Sequence, residues 1–153
     1  MIKAEEIKKE LIIRAKAFIN QGIEDARNSI ASAQESRNAE TKSSSGDKYE
    51  TSRAMMQQEI DLHENQMRKL LELMNELLKI EKVTQSDSVN AGSLVFTSQG
   101  NFYVSVGMGA MNVFNETYFL ISPASPLARA MTGLKSGEKY YFQGKENKIL
   151  RVE

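Results

Sequence analysis

Residues 49–77 read YETSRAMMQQEIDLHENQMRKLLELMNEL. Within them Tyr49, Arg53, Met56, Ile60, His63, Met67, Leu70, Met74 and Leu77 follow one another by four and three alternately, without a break. Residues so spaced share one stripe of an α-helix. The strict alternation makes the heptad seam of a coiled coil, with Arg53 and His63 as its polar members. A seam needs a second helix to cover it. Upstream, Ile7, Leu11, Ala15, Phe18, Gly22, Ala26, Ile30 and Ala33 also step by three or four, with Lys, Glu, Arg and Asn at most positions between. Gln34 to Glu40 is polar and compatible with helix. The connection is Thr41-Lys42-Ser43-Ser44-Ser45-Gly46, and Asp47 opens the second helix. A short polar connection joins antiparallel neighbours. The expectation over residues 1–82 is a coiled-coil hairpin with Tyr49, Met56, His63, Leu70 and Leu77 facing the first helix. Each arm would be roughly 50 Å long at 1.5 Å per residue.

Beyond residue 82 the chain changes character. Residues 2–82 hold no Pro and only Gly22 and Gly46, whereas both prolines and most glycines fall later. Residues 83–90, Val-Thr-Gln-Ser-Asp-Ser-Val-Asn, are mostly small and polar and read as a linker. From 91 to 153 short apolar runs alternate with turn signals. Strands are expected at 93–97, 102–106, 111–114, 117–121, 139–143 and 148–152. Ser125 is a good N-cap and Pro126 a good first helical residue, so a short helix starts there and Gly133 ends it. The expected class is α+β: a helical hairpin, then a compact antiparallel β domain with one helix.

Composition narrows the chemistry. Of 153 residues, 20 are Lys or Arg and 20 are Asp or Glu, so the formal net charge is zero. Independent nucleic-acid binding through a basic surplus is not expected. There is no Cys and a single His, which excludes disulfides, thiolate zinc sites and cysteine nucleophiles. A serine triad would have to use His63, which lies on the seam and reads as a packing residue. The met-rich seam reads as filler before it reads as a binding surface. No apolar run approaches the roughly 20 residues of a membrane span, and the N-terminus does not read as a signal peptide. The expectation is a soluble cytoplasmic protein without membrane contact.

Asp and Glu remain as the plentiful groups for metal or proton chemistry. Asp47 and Glu50 are three apart at the expected hairpin tip, on one turn of the second helix. Two such carboxylates suit a shared divalent cation. The same spacing is also that of a capping box, which is purely structural. Two acids are too few for a self-sufficient divalent site.

Two segments are similar to patterns of a known family. Gly46-Asp47-Lys48-Tyr49-Glu50 fits a tip pattern Gly-Asp-x-x-Glu. The stretch from Ile121-Ser122-Pro123-Ala124-Ser125-Pro126-Leu127 through Gly133 to Gly137 is similar to Ser-Pro-Ile-Gly-x-Ala-Leu-x-Gly-Lys-x-x-Gly. Together with the order and lengths of the halves, they make the chain resemble the bacterial Gre transcript-cleavage factors (GreA/GreB-like). That family has a coiled-coil hairpin followed by an FKBP-like C-terminal domain. The resemblance implies a transcription elongation factor that binds RNA polymerase and inserts its tip into the secondary channel of a backtracked enzyme. It implies that Asp47 and Glu50 help hold a catalytic Mg²⁺ at the polymerase active site, so that the polymerase's intrinsic RNA cleavage is stimulated. The isolated chain would then be no enzyme and would hold no cofactor, because Mg²⁺ wants about six oxygen ligands. Two-metal cleavage needs ions about 3.5–4 Å apart, which only the assembled site provides. Docking of the C-terminal domain is expected through Ser125 and Pro126. The sequence departs from the pattern at Thr51-Ser52-Arg53-Ala54, where the family continues Asn-Ala-x-Tyr, and at Ala128 and Leu134, where it has Gly and Lys. Two other readings stay open. One is a non-cleaving Gre-like regulator of the polymerase. The other is an FKBP-like prolyl isomerase with Tyr103, Tyr118, Phe119, Tyr140, Tyr141 and Phe142 lining an aromatic cleft.

Overall fold

A computed structural model of the chain describes residues 2–40, 46–84 and 86–153, without the side chains of Glu40 and Asp47. Helix α1 spans Ala4–Glu40 and helix α2 spans Gly46–Glu81. Six strands and a short helix follow: β1 Leu94–Thr97, β2 Gly100–Val104, β3 Gly109–Val113, β4 Glu116–Ile121, α3 Pro126–Met131, β5 Lys139–Phe142 and β6 Lys145–Val152. The fold is α+β, as the periodicities predict. No helix among the described residues is long and apolar enough to cross a membrane. The chain packs as two compact units, residues 17–74 and residues 1–16 with 75–153.

Residues 17–74 form an antiparallel pair of helices. Gly22 approaches Leu70, and Arg37 Nη1 donates to Gln57 Oε1 at 2.6 Å, so numbers rise on one helix as they fall on the other. The α2 seam is where the heptad reading puts it. Ile60 is buried, and Tyr49, Arg53, Met56, His63, Met67, Leu70 and Met74 are all partly buried. On α1 one member is corrected. Phe18 is 66 % exposed, and Ile19, fully buried, takes its place. Buried Ile19, Ile23, Ala26 and Ala33, with partly buried Ile30 between the last two, continue the stripe from Ala15 by steps of four and three. An aromatic ring one residue off the stripe points away from the partner, however apolar it is. A Cβ at Gly22 would lie 2.8 Å from Leu70 Cδ1, so the Leu70 side chain would have to shift to admit one.

In the second unit the strand order is β3-β4-β2-β1-β6-β5. The sheet is mixed, which corrects the expected antiparallel domain. β2 and β4 pair in parallel, Phe102 opposite Phe119 and Val104 opposite Ile121. β3 is the outer strand, antiparallel to β4, so the chain leaves β2, runs back along the edge and re-enters beside β2 in its original direction. Two turns also fall one residue early. Phe114-Asn115 and Gln143-Gly144 carry φ values of 52°, 64°, 52° and 75°. These are two-residue hairpin turns with both positions left-handed, which Phe and Gln do not advertise in a sequence.

Each face of the sheet has its own core. Val95, Phe102, Val104, Tyr140 and Ile149 pack with Ala128 and Met131 of α3. On the other face Leu94, Tyr103, Tyr118 and Leu120 are buried, as are Ile7, Leu11 and Leu77 from the helix ends that belong to this unit. Arg14 Nη1 donates to the Asn112 carbonyl at 2.9 Å, and Lys16 pairs with Glu81. The end of the expected linker is part of the fold: Val89 is fully buried, its N–H donates to Leu134 O and its carbonyl accepts from Gly133 N.

Candidate functional site

The acidic pair lies at the start of α2. Gly46 is the first helical residue, Asp47 the second, and Glu50 completes the turn with its side chain exposed. Helical positions three apart are neighbours on one face. The expected connection at residues 41–45 and the Asp47 side chain lie outside the described residues. Sequence reasoning placed Glu50 correctly in the open. The seam that follows it carries Arg53, which the heptad spacing marks as a polar member. Arg53 Nη1 donates to Tyr49 Oη at 2.9 Å, and its guanidinium lies 5.8 Å from the centre of the Tyr49 ring. Arg37, one step beyond Ala33 on the α1 stripe, is also partly buried. Two seam members at this end of the helix pair are therefore cations that carry their charge on hydrogen-bonded side chains. The signal was legible for Arg53, a break in an apolar seam, and could have been found for Arg37 by extending the α1 heptads four residues.

Among the described residues no group of three or more His, Asp or Glu side chains gathers as a metal site. The Asp47 side chain is not among them, so the fit rests on the donor set. Two carboxylates on one helical turn supply hard oxygen ligands of the kind Mg²⁺ takes, and fewer than it needs.

His63 does not build a triad. It lines a groove with Ser29, Ser32, Ser36 and Glu59, but the hydrogen bond of its Nδ1 is with Gln66 Oε1 at 3.0 Å. A nucleophile–base hydrogen bond, the first requirement of serine chemistry, is not made there. The six aromatic residues considered for a proline cleft do not come together either. Tyr103 and Tyr118 belong to one face of the sheet, while Tyr140 and Phe142 join the α3 core on the other. Phe119 packs on Phe102 with ring centres 5.7 Å apart, and Tyr141 is 69 % exposed. Tyr140 has its hydroxyl within 3.2 Å of Thr97 Oγ1, which ties it to the core.

The Ser125-Pro126 corner is built as a helix start. Ser125 has extended backbone angles, its Oγ accepts from Ala128 N at 3.2 Å, and Pro126 is the first helical residue. Ser125 is partly buried and Pro126 exposed. Gly133 follows the helix with φ of 85°, the left-handed conformation that closes a helix and that glycine adopts without cost. The corner's structural part can be separated from any binding part. Ser125→Ala is expected to lower stability by about 1 kcal/mol through loss of the cap. A Ser125→Asp, Pro126→Ala double variant keeps an N-cap acceptor and should melt close to the native protein. A melting temperature far below that of the native protein would overturn the capping role.

No protein-family model matches the chain, and no curated protein sequence matches it.

Proposed function

We propose that the chain is a transcription elongation factor that binds RNA polymerase and stimulates the polymerase's own cleavage of backtracked RNA. The observation that supports this most is the position of Asp47 and Glu50. They fall in the first turn of α2, directly after the connection between two long antiparallel helices, with Glu50 exposed. Together with Gly46 they fit the tip pattern of the Gre factors. In this reading Asp47 and Glu50 present carboxylate oxygens to a Mg²⁺ ion shared with the polymerase, which supplies the remaining ligands. When bound, the ion stabilises charge on the attacking and leaving oxygens of the scissile phosphate. The rest of the hairpin carries the acids at one end of its seam. The residues from 91 on form the docking domain, which we read as FKBP-like, a short helix lying on one face of a mixed sheet. The chain works where the polymerase works, in the cytoplasm.

Two departures from the Gre pattern in that domain have packing reasons. Ala128 is fully buried against the core, and Leu134 packs at its edge. A methyl where the family has glycine, and an apolar chain where it has lysine, both add carbon to this core. The tip departure is different in kind. Arg53 is engaged with Tyr49 one turn beyond Glu50, which brings a cation close to the acidic turn. That observation favours a second reading, a regulator that occupies the channel without stimulating cleavage.

The experiment is a time course of RNA 3′-end hydrolysis in stalled, backtracked polymerase complexes at fixed Mg²⁺, with and without the protein. Acceleration of cleavage supports the first reading. Binding to the polymerase with unchanged or slowed hydrolysis overturns it and leaves the regulator.

A further inference from the structure

A groove in the unit formed by residues 1–16 and 75–153 has no part in the reading above. Its volume is about 430 Å³, within the range of small-molecule sites. Arg151 lines it from β6, with its guanidinium 4.1 Å from the centre of the Phe96 ring. Stacking holds that planar cation in place without using its N–H groups. Arg151 Nε is buried and has no hydrogen-bond partner. Glu153 Oε1 stands 3.4 Å from it, an ion pair without hydrogen-bond geometry. Among the described residues the guanidinium makes no hydrogen bond at all. Buried polar groups are rarely left so, and each one that is calls for a reason.

Two further groups in the groove wait on a partner. Glu116, exposed at the start of β4, forms no ion pair among the described residues. It and Arg151 are therefore not joined to each other, yet both act on the Tyr118 hydroxyl. Burial raises that hydroxyl above its usual range, Glu116 pushes it the same way and Arg151 pulls it down. Phe114 also lines the groove, 45 % exposed and with φ of 52°. A bulky side chain is strained in the left-handed region, and here the strained turn presents an aromatic ring to the groove.

These charges decide the class of ligand. An anion would meet the carboxylates of Glu116 and Glu153, and a cation would meet Arg151. A neutral ligand satisfies both signs when it carries acceptors on one edge, donors on the next and a flat face for Phe114. We propose that this groove binds a guanine nucleoside. O6 and N7 of the base accept from the Arg151 fork, the bidentate pairing that guanine offers an arginine. N1–H and the N2 amino group donate to the Glu116 carboxylate, and the base stacks on Phe114. Adenine has a donor where guanine has O6 and an acceptor where guanine has N1–H, so it opposes both charged groups. The proposal does not depend on polymerase binding.

The test titrates the full chain with guanosine, inosine and adenosine, followed by calorimetry and by the ring resonances of Phe114 and Tyr118. Guanosine is expected to bind saturably at one site and to shift both rings. Inosine, which lacks the N2 amino group, should bind roughly tenfold more weakly, and adenosine more weakly still. Arg151→Lys keeps the charge and loses the fork, and should weaken guanosine by roughly tenfold. Glu116→Gln should remove most of the advantage of guanosine over inosine, an effect that a purely structural role of Glu116 would not produce. A UGU trinucleotide separates a base within RNA from a free nucleoside: the groove offers its phosphates no cation beyond Arg151, so it should bind no more tightly than guanosine. Equal binding of guanosine and adenosine, no saturation, tighter binding of the trinucleotide, or a Glu116→Gln protein that keeps the native preference would each overturn the proposal. The comparison of the nucleosides on the native chain decides the matter even where a variant melts early.

Discussion

Under the proposed function, Asp47→Asn combined with Glu50→Gln is expected to abolish stimulation of RNA cleavage while leaving the protein folded and bound to polymerase. The substitution keeps side-chain size and removes two negative charges. Asn caps a helix about as well as Asp, so a purely structural pair would tolerate the change. A hard divalent cation would not, because neutral amides are poor replacements for carboxylates. The stimulated rate should fall by on the order of a hundredfold, the scale on which charge-stabilising groups act at a reacting oxygen. The measurement is the hydrolysis time course in backtracked complexes, double variant against native protein, with polymerase binding and thermal melting as controls. Equal stimulation by the two proteins would sink the metal-ligand role of these acids.

Two neighbouring residues on α1 should behave oppositely when cut back to alanine. Ile19 is fully buried and Phe18 is 66 % exposed. Ile19→Ala removes buried carbon and leaves a cavity in a thin helix–helix seam, which should cost about 2–4 kcal/mol. Phe18→Ala removes a larger side chain that meets water, and should change stability by no more than about 0.5 kcal/mol. Urea unfolding followed by circular dichroism reads both, with the slope of the transition as a check that the unfolded state is unchanged. A larger loss at Phe18 than at Ile19 would mean that the seam runs through the phenylalanine after all.

That pair also marks how far the candidate site and its scaffold were legible. The α2 heptad from Tyr49 to Leu77 could be read directly, because alternating steps of four and three keep one stripe and every member is at least partly buried. The same held for Ser125 and Pro126, whose roles as cap and first helical residue depend on atoms within one turn. Glu50 was legible as an exposed acid at the start of α2 for the same local reason. Where two apolar residues stand side by side, as at Phe18 and Ile19, hydropathy has no preference, and the facing helix chooses between them.

Local rules acting over a few residues were thus settled in the sequence alone: the helical periodicity, the helix start at Ser125, the left-handed glycine at 133, and the spacing of Asp47 and Glu50. Contacts between distant segments were decided only in the folded chain. The parallel pairing of β2 with β4 depends on where β3 leaves the sheet, and no single strand records that. The groove around Tyr103 draws residues from the first part of α1, the end of α2 and β2, so its lining comes together only when those segments pack. Side-chain direction is set by backbone geometry within a turn or a strand, but the partner that a side chain meets is set by the whole fold.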